Sequence, residues 1–189
     1  SYSWSLIFYG MAGLFLAIWL WHGTVLPRPA DDVQRQYVSA HSVWLGFLDT
    51  FKTFFKKERI LTILFFILLF RMPEAFLSKV TELFLIDTQQ DGGLGLSPQE
   101  FGLVQSTVGA IGVSLGGLLG GFVVSRGGLK RWLWPMTAAY TLPALVYVFM
   151  GYELPSSLMI INFCVFFEQF GYGFGLTAYM LYLIYISRG

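Results

Sequence analysis

Residues 60–86 read ILTILFFILLFRMPEAFLSKVTELFLI and residues 155–187 read PSSLMIINFCVFFEQFGYGFGLTAYMLYLIYIS. Each is long enough to cross a bilayer as a helix, which takes roughly 20 apolar residues for about 30 Å of hydrocarbon. Each also holds ionisable groups far from its ends: Arg71 and Glu74 in the first, Glu168 in the second. Ionisable groups at membrane depth are costly and mark candidate functional positions.

The rest of the chain agrees with a bilayer as its solvent. Of 189 residues, 56% are hydrophobic, 19% aromatic and only 12% charged, a balance far from that of a soluble domain. Uncharged runs of spanning length occur at Ser1 to Leu26, Phe101 to Ser125 and Trp132 to Tyr152. Together with the two charged spans they predict an all-α polytopic bundle of about five transmembrane helices. Trp4, Trp19, Trp21, Trp44, Trp132 and Trp134 fall near span ends or between the first two spans, where interfacial anchors belong.

Basic residues set the orientation. Arg28, Arg35, Lys52, Lys56, Lys57 and Arg59 lie in the first connection, Arg126, Lys130 and Arg131 in the third, and Arg188 after the last span. The second and fourth connections, Asp87 to Gln99 and Tyr152 to Pro155, have neither Lys nor Arg. The positive-inside rule therefore makes the first and third connections cytoplasmic, including the linker 22–58. The net charge of +1 is uninformative beside this distribution, in which no nucleic-acid patch is visible, and the single Cys164 leaves no disulfide framework. No metal-ligand spacing or cofactor motif is present, and His22 and His41 read as plain polar residues.

The chain divides into residues 1–21, the last helix of a preceding bundle; residues 22–58, a linker; and residues 59–189, a partial second bundle with helices at about 59–86, 98–125, 132–152 and 155–187. Ser1 stands directly inside an apolar span, so the chain reads as a piece of a longer polytopic protein. Gly23 to Asp32 is polar and contains Pro. Farther on, Trp44, Leu45, Phe47, Leu48, Phe51, Phe54 and Phe55 recur at helical spacing opposite Asp49, Lys52 and Lys56. That pattern predicts an amphipathic helix over about 43–57, lying in the cytoplasmic interface or packed on other cytoplasmic segments.

Ser97, Pro98 and Glu100 form a capping box with Pro at the first helical position, a clean start for the third span. Within it Gly112, Gly116 and Gly120 repeat every four residues, with Gly117 and Gly121 in a second register. Small residues at this spacing let a second helix approach closely, as a sliding interface or as static packing. Gly112 to Gly116 also matches G-x-S-x-G, but that nucleophile motif needs a strand-to-helix turn and a His base. A continuous apolar helix supplies neither, and no enzyme is expected.

Arg71 and Glu74 are three apart and share a helix face, extended by Ser78 and Glu82. They read as a functional charge pair or as a structural ion pair that fixes packing. Pro73 between them removes a backbone donor and predicts a bend or opening beside Arg71. Glu168 has no base on its own helix, so it is neutralised by protonation, by a basic group such as Arg71, or by water. Gly171, Gly173 and Gly175 are expected to loosen the helix beside it. A protonatable carboxylate next to a flexible segment suits a proton-coupled carrier.

Gly121, Ser125, Arg126, Gly128, Lys130 and Arg131 resemble the G-x-x-x-D-R-x-G-x-K/R gating loop of the major facilitator superfamily, with Ser125 where that loop has Asp. The resemblance implies that the chain holds helices six to ten of twelve, and that its charged spans, helices seven and ten, line one cavity. Helices six and nine would be outer supports, and the Gly-rich helix eight would lie between the halves.

Arg71-Met72-Pro73-Glu74-Ala75-Phe76, Gly93-Leu94-Gly95-Leu96-Ser97 and the run from Glu168 to Tyr179 resemble the AmpG-type muropeptide permease and acetyl-CoA transporter group. That resemblance implies a bacterial inner-membrane permease: a symporter importing a bulky anionic or peptide-bearing solute, muropeptide-like, with protons. Its partners would be that solute, protons, the lipid bilayer and the remaining helices of the full-length chain, with no nucleic acid. On this reading Glu168 and Glu74 couple protons, and Arg71, Glu74, Gln169 and Tyr172 bind substrate. A membrane receptor or scaffold that keeps the carrier fold without transporting is the alternative.

Overall fold

The computed structural model describes residues 2–26 and 40–187; Arg28, Arg35, Arg188 and most of the Pro-containing polar stretch lie outside them. The chain forms two compact units, residues 1–58 and 59–189. The first contains α1 (Tyr2–Val25) and α2 (Ala40–Phe55). The second contains α3 (Ile60–Ile86), α4 (Pro98–Gly127), α5 (Leu129–Glu153) and α6 (Leu158–Ser187). Five of the six, all but α2, are long and apolar enough to cross a membrane. Among the described residues the regular structure is all helical, the architecture of a polytopic membrane bundle.

On α2 the rings of Trp44, Phe47, Phe51 and Phe55 follow one another at three- and four-residue spacing, with centroids 5.7, 5.9 and 4.9 Å apart. The aromatic face expected between residues 43 and 57 is thus a single stripe. Within the first unit α1 buries none of its described residues.

Packing in the second unit is centred on α6. Gly112, Gly116 and Gly120 of α4 lie against the α6 backbone. A Cβ on Gly112 would sit 2.9 Å from the Phe166 carbonyl oxygen, one on Gly120 3.0 Å from that of Phe174, and one on Gly116 would run into that of Phe170. Residue numbers rise together along the seam, so α4 and α6 run parallel. The partner of the small-residue stripe is therefore a helix of its own unit, and the stripe is a packing seam there. Gly121, in the second register, meets nothing.

The glycines of α6 do not loosen it. The helix runs unbroken from Leu158 to Ser187, because each glycine faces a close neighbour. Gly173 abuts Val113 of α4, whereas Gly171 and Gly175 abut Ala139 and Met136 of α5. Alternate positions on a helix point 200° apart, which serves two neighbours at once.

Helix α3 likewise passes Pro73 without a break. The irregular backbone lies instead in α4, whose residues Gly102–Val108 form a π-helical segment, and in α5, which tightens to a 3₁₀ turn at Leu142–Ala144. Pro143 in that turn supplies the cause, since it offers no backbone donor. π segments inside helices are enriched at functional sites.

The connection from α3 to α4 folds back on the helix it leaves. Leu94 and Leu96 donate backbone hydrogen bonds to Phe84 and Leu85 at 2.8 and 2.9 Å, and both side chains are buried. Gly95 sits between them at φ 67°, a conformation that disfavours a side chain. The capping box is formed: Ser97 N–H donates to Glu100 Oε2 at 2.9 Å, and Ser97 Oγ accepts from Glu100 N–H at 3.3 Å.

Candidate functional site

Two apolar clusters leave a polar zone between them. One gathers Leu85, Leu94, Val104, Met150, Ile161 and Val165. The other is centred on Phe70, Tyr140 and Tyr179. Along α3 the residues between 70 and 85 include Arg71, Glu74 and Thr81, and along α6 those between 165 and 179 include Glu168, Gln169 and Tyr172. Both charged spans therefore deliver their polar groups to the same depth.

Glu74 and Glu168 line one small cavity of about 50 Å³ with Ser78, Thr81, Gln105, Tyr147 and Gln169. Glu168 is only 5% exposed. Its Oε2 accepts a hydrogen bond from the Tyr147 hydroxyl at 3.3 Å. Gln105, in the π-helical segment of α4, places a buried Oε1 with no hydrogen-bond donor beside them. The groups facing the two carboxyls from α3, α4, α5 and α6 are thus hydroxyls and amides, and no ion pair closes on either among the described residues.

Arg71 is in a second layer. Its Nη1 donates to the Tyr172 hydroxyl at 3.1 Å, so its bond is to α6 rather than to Glu74, although its charge still acts on Glu74. The Tyr140 ring lies 5.5 Å from that of Tyr172 and 4.5 Å from that of Phe70. Tyr140 is 7% exposed, and its hydroxyl has no hydrogen-bond partner.

The layers share a logic of spacing. Arg71 to Glu74 is one turn of α3, Tyr172 to Glu168 one turn of α6, and Tyr140 to Tyr147 two turns of α5. Helix α6 runs antiparallel to the other two: to α3 by the stacked pair Phe70–Tyr179 and the edge-on pair Phe66–Tyr182, and to α5 by Gly171 against Ala139 and Gly175 against Met136. One layer is thus Arg71, Tyr140 and Tyr172; the other is Glu74, Tyr147 and Glu168. Thr81, Gln105, Tyr140 and Tyr147 are the members that sequence reasoning missed. The seven-residue interval of the two tyrosines, on one face of an apolar span, was the available signal.

The remaining expected site residues lie elsewhere. Arg126 sits 4.4 Å above the Phe122 ring, Ser125 Oγ donates to the Phe122 carbonyl at 2.7 Å, and Gly128 ends α4 at φ 74°. Lys130 and Arg131 are exposed at the start of α5. Ser114 is inside α4, in helical backbone without a strand-to-helix turn.

Comparison with known proteins places this geometry. The chain is 26% identical over 184 residues to "Putative transporter AmpG 4" of Rickettsia conorii, covering 96% of this chain and 42% of that protein. It is 25% identical over 136 residues to "Putative transporter AmpG 2" of Rickettsia prowazekii, covering 72% and 32%. The chain thus spans less than half the length of these curated relatives. No family model and no solved structure matches it. The chain thus has five apolar helices long enough to span a membrane and is similar, at low identity, to proteins named putative AmpG transporters.

Proposed function

We propose that this chain is part of a proton-coupled secondary transporter of a bacterial inner membrane. It imports a bulky anionic or peptide-bearing solute, muropeptide-like, by alternating access, with the 22–58 linker on the cytoplasmic side. The observation that carries the reading is Glu168: a carboxyl 5% exposed, inside a membrane span, with a tyrosine hydroxyl as its hydrogen-bond partner and a second carboxyl, Glu74, in the same cavity.

Two carboxyls in one small cavity without a basic partner repel each other when both are ionised. In low dielectric the favourable state has at least one of them protonated. Such a pair takes up and releases a proton with little other change, as a coupling site must. Arg71 in the adjoining layer supplies the charge that would attract an anionic solute. The gating-loop resemblance at Gly121 to Arg131 and the relatives' names favour a carrier over a receptor.

In the full-length protein reconstituted in vesicles, Glu168→Gln should abolish uptake of a labelled muropeptide driven by an inward proton gradient, with expression intact. Unchanged gradient-driven uptake would sink the assignment. Counterflow of the labelled solute separates a carrier from a receptor, because a receptor binds without exchange.

A further inference from the structure

We infer that Tyr140 of α5 completes an oxyanion site with Arg71 and Tyr172, in which its hydroxyl donates to a carboxylate or phosphate oxygen of the solute. This rests on the reading of the chain as a carrier of an anionic solute. It adds a ligand on a helix that the family resemblance makes an outer support.

Three observations converge. The first is hydrogen-bond inventory. Arg71 spends one guanidinium N–H on the Tyr172 hydroxyl, which leaves it further donors in a fixed fork. The Tyr172 oxygen, having accepted, keeps its own hydrogen to donate. The Tyr140 hydroxyl is buried and without a partner. The layer is therefore rich in donors and has no anionic acceptor of its own, the arrangement that favours an oxyanion.

The second is the position of the orphan group. A hydroxyl that is buried and unpaired is destabilising, and the Tyr140 ring alone would serve the packing against Phe70 and Tyr179. Its hydroxyl lies within electrostatic reach of Arg71, and no partner stands in hydrogen-bonding geometry to it. A ligand oxygen accepting from both would satisfy the hydroxyl.

The third is separation of charge. Glu74 and Glu168 occupy the neighbouring layer, and Glu168 is engaged by Tyr147 rather than by Arg71. Arg71 is hydrogen-bonded to a neutral hydroxyl, so a ligand anion would not have to displace a carboxylate from it.

The test uses purified full-length protein and two simple probes, inorganic phosphate and acetate, against chloride at matched ionic strength. Thermal unfolding should show a saturable stabilisation with phosphate, acetate or both, and the more effective probe identifies the oxyanion class. Tyr140→Phe keeps the ring and removes an unpaired buried hydroxyl, so it should hold or raise the melting temperature without added anion and raise the half-saturating concentration about tenfold, as expected for a lost hydrogen bond to a charged group. Tyr172→Phe should raise the half-saturating concentration similarly, while also lowering the anion-free melting temperature through the lost Arg71 bond, which keeps the idea testable if Tyr140→Phe folds poorly, and Arg71→Gln should remove the saturable response. No saturable response in the native protein, or equal responses in the native protein and both tyrosine variants, overturns the site. Saturable binding in a protein that shows no counterflow would overturn the carrier reading and leave the oxyanion site standing.

Discussion

Tyr147 donates its hydroxyl hydrogen to Glu168 across 3.3 Å, joining α5 to α6 at the depth where α3 brings in Glu74. The bond ties the most buried carboxyl among the described residues to a helix that the family resemblance treats as an outer support. It also gives that carboxyl a neutral partner, so its charge state is free to change without breaking an ion pair.

Tyr147→Phe keeps the ring and removes that bond. The full-length protein should lose about 1 kcal/mol of stability, the usual net worth of one hydrogen bond. Gradient-driven uptake should fall several-fold at unchanged expression. Native-like melting and uptake would show that the Tyr147–Glu168 contact is incidental.

The glycine seam makes a paired prediction. Gly116→Ala would drive a Cβ into the Phe170 carbonyl of α6, and overpacking of this kind is destabilising by about 1–3 kcal/mol. Gly121→Ala meets nothing within 4 Å, and alanine is the better helix former, so stability should hold or rise by up to about 1 kcal/mol. Melting temperatures of the two variants, measured side by side, decide it. Equal effects would mean that the α4–α6 seam is looser than the structure has it.

At the other end of α4, Ser97→Ala removes the oxygen that accepts from Glu100 N–H. The expected loss is about 1 kcal/mol, confined to the first turn. Hydrogen exchange should quicken at the Glu100 amide while the amides near Gly116 keep their protection. Uniform acceleration along α4 would contradict a local cap.

Much of this architecture is legible in the residues because its causes are local. Arg71, Glu74 and Glu168 stand out by type alone against apolar neighbours, and the Ser97–Glu100 box by spacing. Pro73 lies inside α3, which continues past it as a helix, while the π-helical and 3₁₀ segments appear at Gly102–Val108 and Leu142–Ala144, where no local residue pattern in the sequence reading pointed. Gly171, Gly173 and Gly175 read as a soft segment because their neighbours are invisible in one dimension. In the fold they let α4 and α5 approach α6 closely.

The sequence by itself determined which segments are long and apolar enough to span a bilayer and which of them bear ionisable groups, because hydrophobic length and charge are properties of a single helix. It also determined the capping box at Ser97, a contact between residues three apart. Only the tertiary structure decided that Arg71 is bonded to Tyr172 instead of Glu74, that Tyr147 rather than a basic group engages Glu168, and that α6 is the partner of the Gly112, Gly116 and Gly120 stripe. Those pairings depend on how each helix is rotated about its axis. That rotation is set by side chains interlocking across helices of a common apolar character, and each apolar run read alone leaves it open.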